Sequence, residues 1–106
     1  DGAMWFSKAL LEIRDGNLQA GLKALETAAT LEGTPGYYHY VFAVAQNDQG
    51  YPDKALSTLE QLHRLAPGQP NVLSALMQYS NIAGDRPAAE RYRKELRATL
   101  KAAGLQ

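Results

Sequence analysis

The chain has 106 residues, of which 45% are hydrophobic and 21% charged, and its eleven basic residues balance eleven acidic ones. This size and composition suit one soluble globular domain and exclude a disordered segment. The balanced charge gives no whole-domain field that would attract nucleic acid, anionic lipid or an acidic substrate. Because cysteine is absent, disulfides, thiol nucleophiles and thiolate metal sites are excluded as well.

The sequence as given shows no signal peptide and no transmembrane segment. The longest uninterrupted apolar run, residues 41–45, is far too short to cross a bilayer, and the N-terminus lacks the basic-then-apolar layout of a signal peptide. We therefore expect a soluble chain with no membrane insertion, and the sequence leaves its compartment open. Residues 1–3 resemble a cloning remnant.

The first part of the chain predicts two helices joined by a tight turn. Apolar residues follow helical spacing over residues 4–14, and an Asp-Gly-Asn turn then offers Asn17 as the next N-cap. Residues 18–31 predict a second helix, with one apolar face along its whole length. Thr34 and Pro35 favour a new helix start, with Thr34 as its cap.

The same plan occurs twice more along the chain. Residues 37–48 and 52–65 predict the second helix pair, which ends in a segment with two prolines that cannot continue a helix. Residues 72–82 and 86–103 predict the third pair, with Asp85 as the N-cap of the last helix. Three antiparallel helix pairs result.

A period of 34 residues relates the three pairs. Shifting the sequence on itself by this interval superposes three turn glycines, and a few residues later three small residues: Gly16, Gly50 and Gly84, then Gly21, Ala55 and Ala89. A fixed period of this length indicates repeat architecture. The predicted repeats cover about 2–35, 36–69 and 70–103 of a single domain, 1–106.

These features resemble the tetratricopeptide repeat, a 34-residue helix pair with an early aromatic residue, small residues where its helices cross, and a proline after the second helix. Trp5 stands in the aromatic slot, Ala9 and Ala43 in the close-contact slot, and Pro67 closes the second repeat. The resemblance implies an all-α, right-handed α-solenoid of three helix-turn-helix repeats and six helices. Such a fold implies a protein-protein interaction scaffold.

The resemblance also implies where a partner would bind. In tetratricopeptide arrays the concave surface is lined by first-helix residues that face away from the second helix. The matching residues here are Phe6, Leu10, Ile13, Tyr37, Tyr40, Val44, Asn47, Asn71, Ser74, Gln78 and Asn81. Apolar and aromatic residues followed by amides favour an uncharged or amphipathic peptide or helix as the ligand. The alternative is that several of them only pack between adjacent first helices.

One class of ligand does not fit this surface. Family members that grip the acidic tails of heat-shock chaperones use a clamp of Lys, Arg and Asn, and the matching places hold Phe6, Leu10, Val41, Asn71 and Ala75. A chaperone acidic-tail clamp is therefore not expected.

The two ends of the repeat array differ in polarity. Arg93 occupies the slot that Leu25 and Leu59 fill in the other repeats, and the last helix carries Arg86, Arg91, Arg93, Lys94, Arg97 and Lys101. This predicts the polar outer surface of a terminal repeat. A nucleic-acid or acidic-partner patch is the less favoured alternative, since acidic residues interrupt the run and no aromatics interleave. The apolar N-terminal edge at Trp5 leaves open a homo-oligomer, or stacking within a longer parent protein.

No residues form a catalytic arrangement. The two histidines, eleven carboxylates and scattered hydroxyls include no base oriented by a third group. His39 lies on an apolar helix and His63 near a helix C-terminus, where packing roles suffice, and the two are not at metal-ligand spacing. We expect neither catalysis nor a metal or cofactor.

Overall fold

The computed structural model describes residues 1–105, and over that range it contains six α-helices and no strand. The helices are α1 (Gly2–Arg14), α2 (Leu18–Thr30), α3 (Gly36–Asp48), α4 (Pro52–Leu65), α5 (Pro70–Ile82) and α6 (Arg86–Ala102). The predicted all-α class is confirmed. The chain divides into a first unit, residues 1–58, and a second unit that begins at Leu59.

The turn inside each helix pair is closed by the same glycine motif. The amide of Gly16 donates to the Ile13 carbonyl and that of the next residue donates to the Glu12 carbonyl, and Gly50 and Gly84 form the equivalent bonds. The three glycines have φ of +86°, +91° and +81°, a left-handed conformation that is costly for any other residue. This requirement explains why glycine recurs at the 34-residue interval.

Two of the three predicted helix caps differ from the expectation. Asp85 caps α6 as predicted, because its carboxylate accepts from the amide of Ala88 at 3.1 Å. Asn17 occupies the N-cap position of α2 but makes no capping bond, since its side chain donates instead to Glu12 Oε2 at 2.9 Å.

The prediction that Thr34 caps α3 is wrong. The N-cap of α3 is Pro35, and the Thr34 hydroxyl donates backwards to the Leu31 carbonyl at 3.0 Å. The Thr34 amide donates to the same carbonyl at 3.4 Å, so Thr34 closes the C-terminal end of α2 and does not cap the start of α3.

The core of the first unit is built where α1, α2 and α3 meet. Its buried residues are Ala9, Ala24, Leu25, Ala29 and Phe42. The small side chains let the helix backbones approach closely, so that one leucine and one phenylalanine fill the space between them. Half-buried apolar residues surround this cluster, among them Trp5, Phe6 and Ile13.

In the second unit, α5 supplies most of the buried residues. Val72, Leu73 and Leu76 have no exposed surface, and α6 packs on α5 with Ala88 and Ala89 buried. None of the described helices is both long enough and apolar enough to cross a bilayer.

Candidate interaction surfaces

The predicted site residues of the first unit lie on α1 and α3. Phe6 joins the two helices, because its ring stacks on Tyr38 with centroids 4.4 Å apart and meets Tyr37 at 6.1 Å. Tyr37 is 60% exposed and Leu10 is 46% exposed. We call Phe6, Leu10, Tyr37, Tyr40, Val44 and Asn47 the α1/α3 face.

The other members of the α1/α3 face are less accessible. Tyr40, Val44 and Asn47 follow Tyr37 at helical spacing on α3 and are each half-buried. They therefore present part of their side chains to solvent while the rest packs against neighbouring residues. Partial exposure is compatible with a binding role and with packing between helices, so the assignment of these residues to a binding surface stays a prediction.

Ile13 does not lie where it was expected. A Cβ built on Gly21 of α2 would lie only 2.5 Å from Ile13 Cγ1, and Ile13 packs against the core of the first unit. Its side chain therefore fills the contact between α1 and α2. The placement of Ile13 among residues that face away from the second helix is corrected.

The predicted site residues of the second unit are all exposed. Asn71, Ser74, Gln78 and Asn81 lie on α5 and alternate with its buried residues. We call these four residues the α5 face. Their amide and hydroxyl groups are free to donate to and accept from a ligand.

Five of the six basic residues of α6 are exposed, and Arg93 is half-buried. Arg93 makes a bidentate ion pair with Glu90 one turn earlier, and this hydrogen bond lowers the pKa of the Glu90 carboxyl. Beside the pair, Met77, Leu96 and Leu100 line a groove between α5 and α6 of about 250 Å³. The predicted polar outer surface of the last helix is thus interrupted by an apolar groove.

The N-terminal edge of the first unit is also accessible. Trp5 is half-buried and the ammonium group of Lys8 lies 5.1 Å from its ring centroid. Trp5, Ala20 and Ala24 line a shallow cleft of about 250 Å³ between α1 and α2.

His39 is half-buried, and its Nδ1 atom is buried without a hydrogen-bond partner. Burial lowers the pKa of His39 from its ordinary value of 6.5, because the imidazolium form would lose hydration. This environment favours the neutral ring and matches the packing role predicted from the sequence.

The pKa shift of His39 predicts a pH dependence of stability. Below about pH 6.5 the unfolded chain binds a proton that the folded chain resists, so the free energy of unfolding should fall as the pH is lowered through that value. His39→Gln should remove this part of the dependence. Urea unfolding at several pH values checks it, and an unchanged pH profile in the variant would contradict the assignment.

Sequence reasoning missed the partners of His63. Its Nε2 lies 2.9 Å from Glu95 Oε1, and its ring meets that of Tyr92 edge-on with centroids 6.2 Å apart. Burial, followed by the charge of Glu60, raises the pKa of the Tyr92 hydroxyl. Because Glu95 is 32 residues from His63, no local pattern could have indicated this contact.

A second missed feature is a cleft of about 310 Å³ between α2, α3 and α4 of the first unit. Its floor contains Phe42 and Gln46, and Gln46 is only 6% exposed although it is polar. The 34-residue repeat alignment indicates a polar residue at this position, since Glu12, Gln46 and Ser80 are equivalent in the three repeats. We call this feature the α2/α4 cleft.

Within the described residues, no group of three or more histidine and carboxylate side chains could hold a metal ion.

No protein-family model matches the chain, and no curated protein sequence matches it. The crystal structure of MamA superposes on the whole chain with a TM-score of 0.86 at 18% sequence identity. The chain spans 62% of the length of that MamA chain. At this identity the similarity establishes the fold alone, and the fold is a tetratricopeptide-like helical repeat.

Proposed function

We propose that the chain is a non-catalytic protein-interaction module that binds a peptide or helix of a partner protein on the α1/α3 face. The ligand is uncharged or amphipathic. Within the second unit, the α5 face is proposed by itself as a polar contact surface. The module belongs to a larger protein or assembly. The tetratricopeptide-like fold supports an interaction role in general.

The observation that carries the proposal is the aromatic cluster of Phe6, Tyr37 and Tyr38, in which Tyr37 is 60% exposed and the other two rings are half-buried. An exposed tyrosine beside packed rings offers a partner an apolar contact surface with a polar tip. Because Phe6 stacks on Tyr38 at 4.4 Å and contacts Tyr37, these rings are already held in place. A ligand that docks on them would therefore bury a large area at a small cost in side-chain entropy.

The side-chain amide of Asn47 suits a peptide ligand that offers main-chain hydrogen-bonding groups. Asn47 is half-buried on α3 at the position equivalent to Ile13, and the part of its shorter side chain that reaches solvent can donate or accept a hydrogen bond. An extended or helical peptide would place apolar side chains on the rings and a main-chain group on the amide. This arrangement gives Asn47 an orienting role and the tyrosines the larger share of the binding energy.

We expect the variant Tyr37→Ala, Leu10→Ala to lose at least about 2 kcal/mol of binding free energy, or roughly thirtyfold in affinity, because it removes the two most exposed members of the α1/α3 face. Affinity capture from a source lysate identifies the ligand, and calorimetry with the purified ligand gives the affinity. Ile82→Ala is the matched control, since Ile82 is an equally exposed apolar residue, 67% exposed, on the second unit.

Two outcomes would contradict the proposal. If the variant, with unchanged helicity, captures the same proteins as the parent, the α1/α3 face is not the site. If capture is instead lost on replacing Arg86 and Arg97 and falls steeply with salt, binding uses the basic α6 helix.

A further inference from the structure

The α2/α4 cleft has an unusual floor for a helical core. Gln46 is a polar residue of that floor and is only 6% exposed. Its Oε1 atom lies 2.7 Å from the Thr58 hydroxyl on α4. A polar side chain buried this deeply requires partners for both ends of its amide.

The hydroxyl of Thr58 satisfies only one end of that amide. The same hydroxyl lies 3.0 Å from the Lys54 carbonyl, and its single proton is donated either to that carbonyl or to Gln46. Gln46 Oε1 is an acceptor only, so the bond between the two side chains forms through that proton. Gln46 also lines the cleft, and its amide nitrogen is the group that can donate to a ligand there.

The walls of the cleft carry an excess of positive charge. Lys23 of α2 and Lys54 of α4 both line it, against one carboxylate, Glu26. Neither lysine forms an ion pair among the described residues, and the Lys54 ammonium group lies 5.0 Å from the Tyr51 ring centroid. Two cations on different helices that line one cleft are a favourable setting for an anion.

We propose that the α2/α4 cleft binds a carboxylate group on a short apolar stem. The carboxylate lies between the ammonium groups of Lys23 and Lys54 and accepts from the Gln46 amide, while the stem lies on Leu22 and Phe42. At about 310 Å³, the cleft is at the small end of ligand sites, which suits a side-chain-sized group. This site lies on different helix surfaces from the α1/α3 face and does not depend on the function proposed for that face.

The proposal is tested by titrating the ¹⁵N-labelled chain with sodium glutarate and following amide shifts at constant ionic strength. We expect saturable shifts in α2 and α4 with a dissociation constant in the millimolar range, of about 1 mM. Lys23→Gln, Lys54→Gln should weaken binding by about tenfold or more. Lys101→Gln is the matched control, because Lys101 is an exposed lysine of the other unit, and it should titrate like the parent.

A further variant and a second ligand sharpen the test. Glu26→Gln removes the only carboxylate that lines the cleft and should tighten binding. The acidic peptide acetyl-Gly-Leu-Glu-Gly-amide is titrated in parallel. If it binds more tightly than glutarate, the carboxylate comes from a partner protein. If it binds less tightly, the ligand is a free carboxylate. Shifts that do not saturate with either ligand, or that are equal in the parent and the double-lysine variant, would overturn the proposal.

Discussion

Replacing Leu25 with alanine should lower the free energy of unfolding by about 3 kcal/mol, within the range measured for buried leucines. Leu25 has no exposed surface and lies at the centre of the first-unit core, against Ala9, Ala24 and Phe42. These neighbours are small or held by their own packing, so they cannot collapse far into the space that the truncation leaves. Urea unfolding followed by circular dichroism measures the loss.

Arg93→Ala is the matched control for this substitution. Arg93 occupies the Leu25 position in the third repeat, but it lies at the surface, with 40% of its side chain exposed and paired with Glu90. An exposed ion pair contributes little to stability, so truncation should cost only a small fraction of the Leu25 loss. A loss as large as that of Leu25→Ala would mean that this face of α6 is covered in the folded protein.

The helices themselves were predictable because glycine and proline mark their ends. All six helices begin and end within two residues of the sequence expectation; α5 starts two residues early, at Pro70, and α1 also starts two residues early, at Gly2. The early start of α1 has a physical cause, since the Asp1 carboxylate accepts from the Met4 amide at 2.8 Å.

The candidate site was harder to predict than the helices. Helical spacing identified which residues share one side of α1 and α3, but it could not decide how deeply each is buried, as the half-buried Tyr40 shows. It also could not reveal contacts between distant residues, such as Gln46 with Thr58 or His63 with Glu95. Those contacts depend on how helices cross, and both involve polar residues that the apolar pattern leaves out.

The misplaced residue, Ile13, belongs to a size-matched pair with Gly21. At the same register the other repeats hold asparagine with alanine: Asn47 with Ala55, and Asn81 with Ala89. In the first repeat the larger isoleucine leaves no room for a methyl group, because a Cβ on Gly21 would lie 2.5 Å from Ile13 Cγ1 and 3.3 Å from the Ala9 carbonyl oxygen. Glycine at this buried helix position is therefore explained by its neighbour.

We expect Gly21→Ala to destabilise the chain by about 1 to 2 kcal/mol, although alanine favours a helix by about 1 kcal/mol over glycine, because the overpacking costs more. Adding Ile13→Asn, which recreates the pair of the other repeats, removes the clash and lets the helix preference of alanine act. The double variant should therefore lose about 2 kcal/mol less free energy of unfolding than the two single variants lose together. A double-mutant cycle from urea unfolding measures this coupling. If the stability losses of the two single variants simply add, Ile13 does not pack on Gly21. The original prediction that Ile13 faces away from the second helix would then hold.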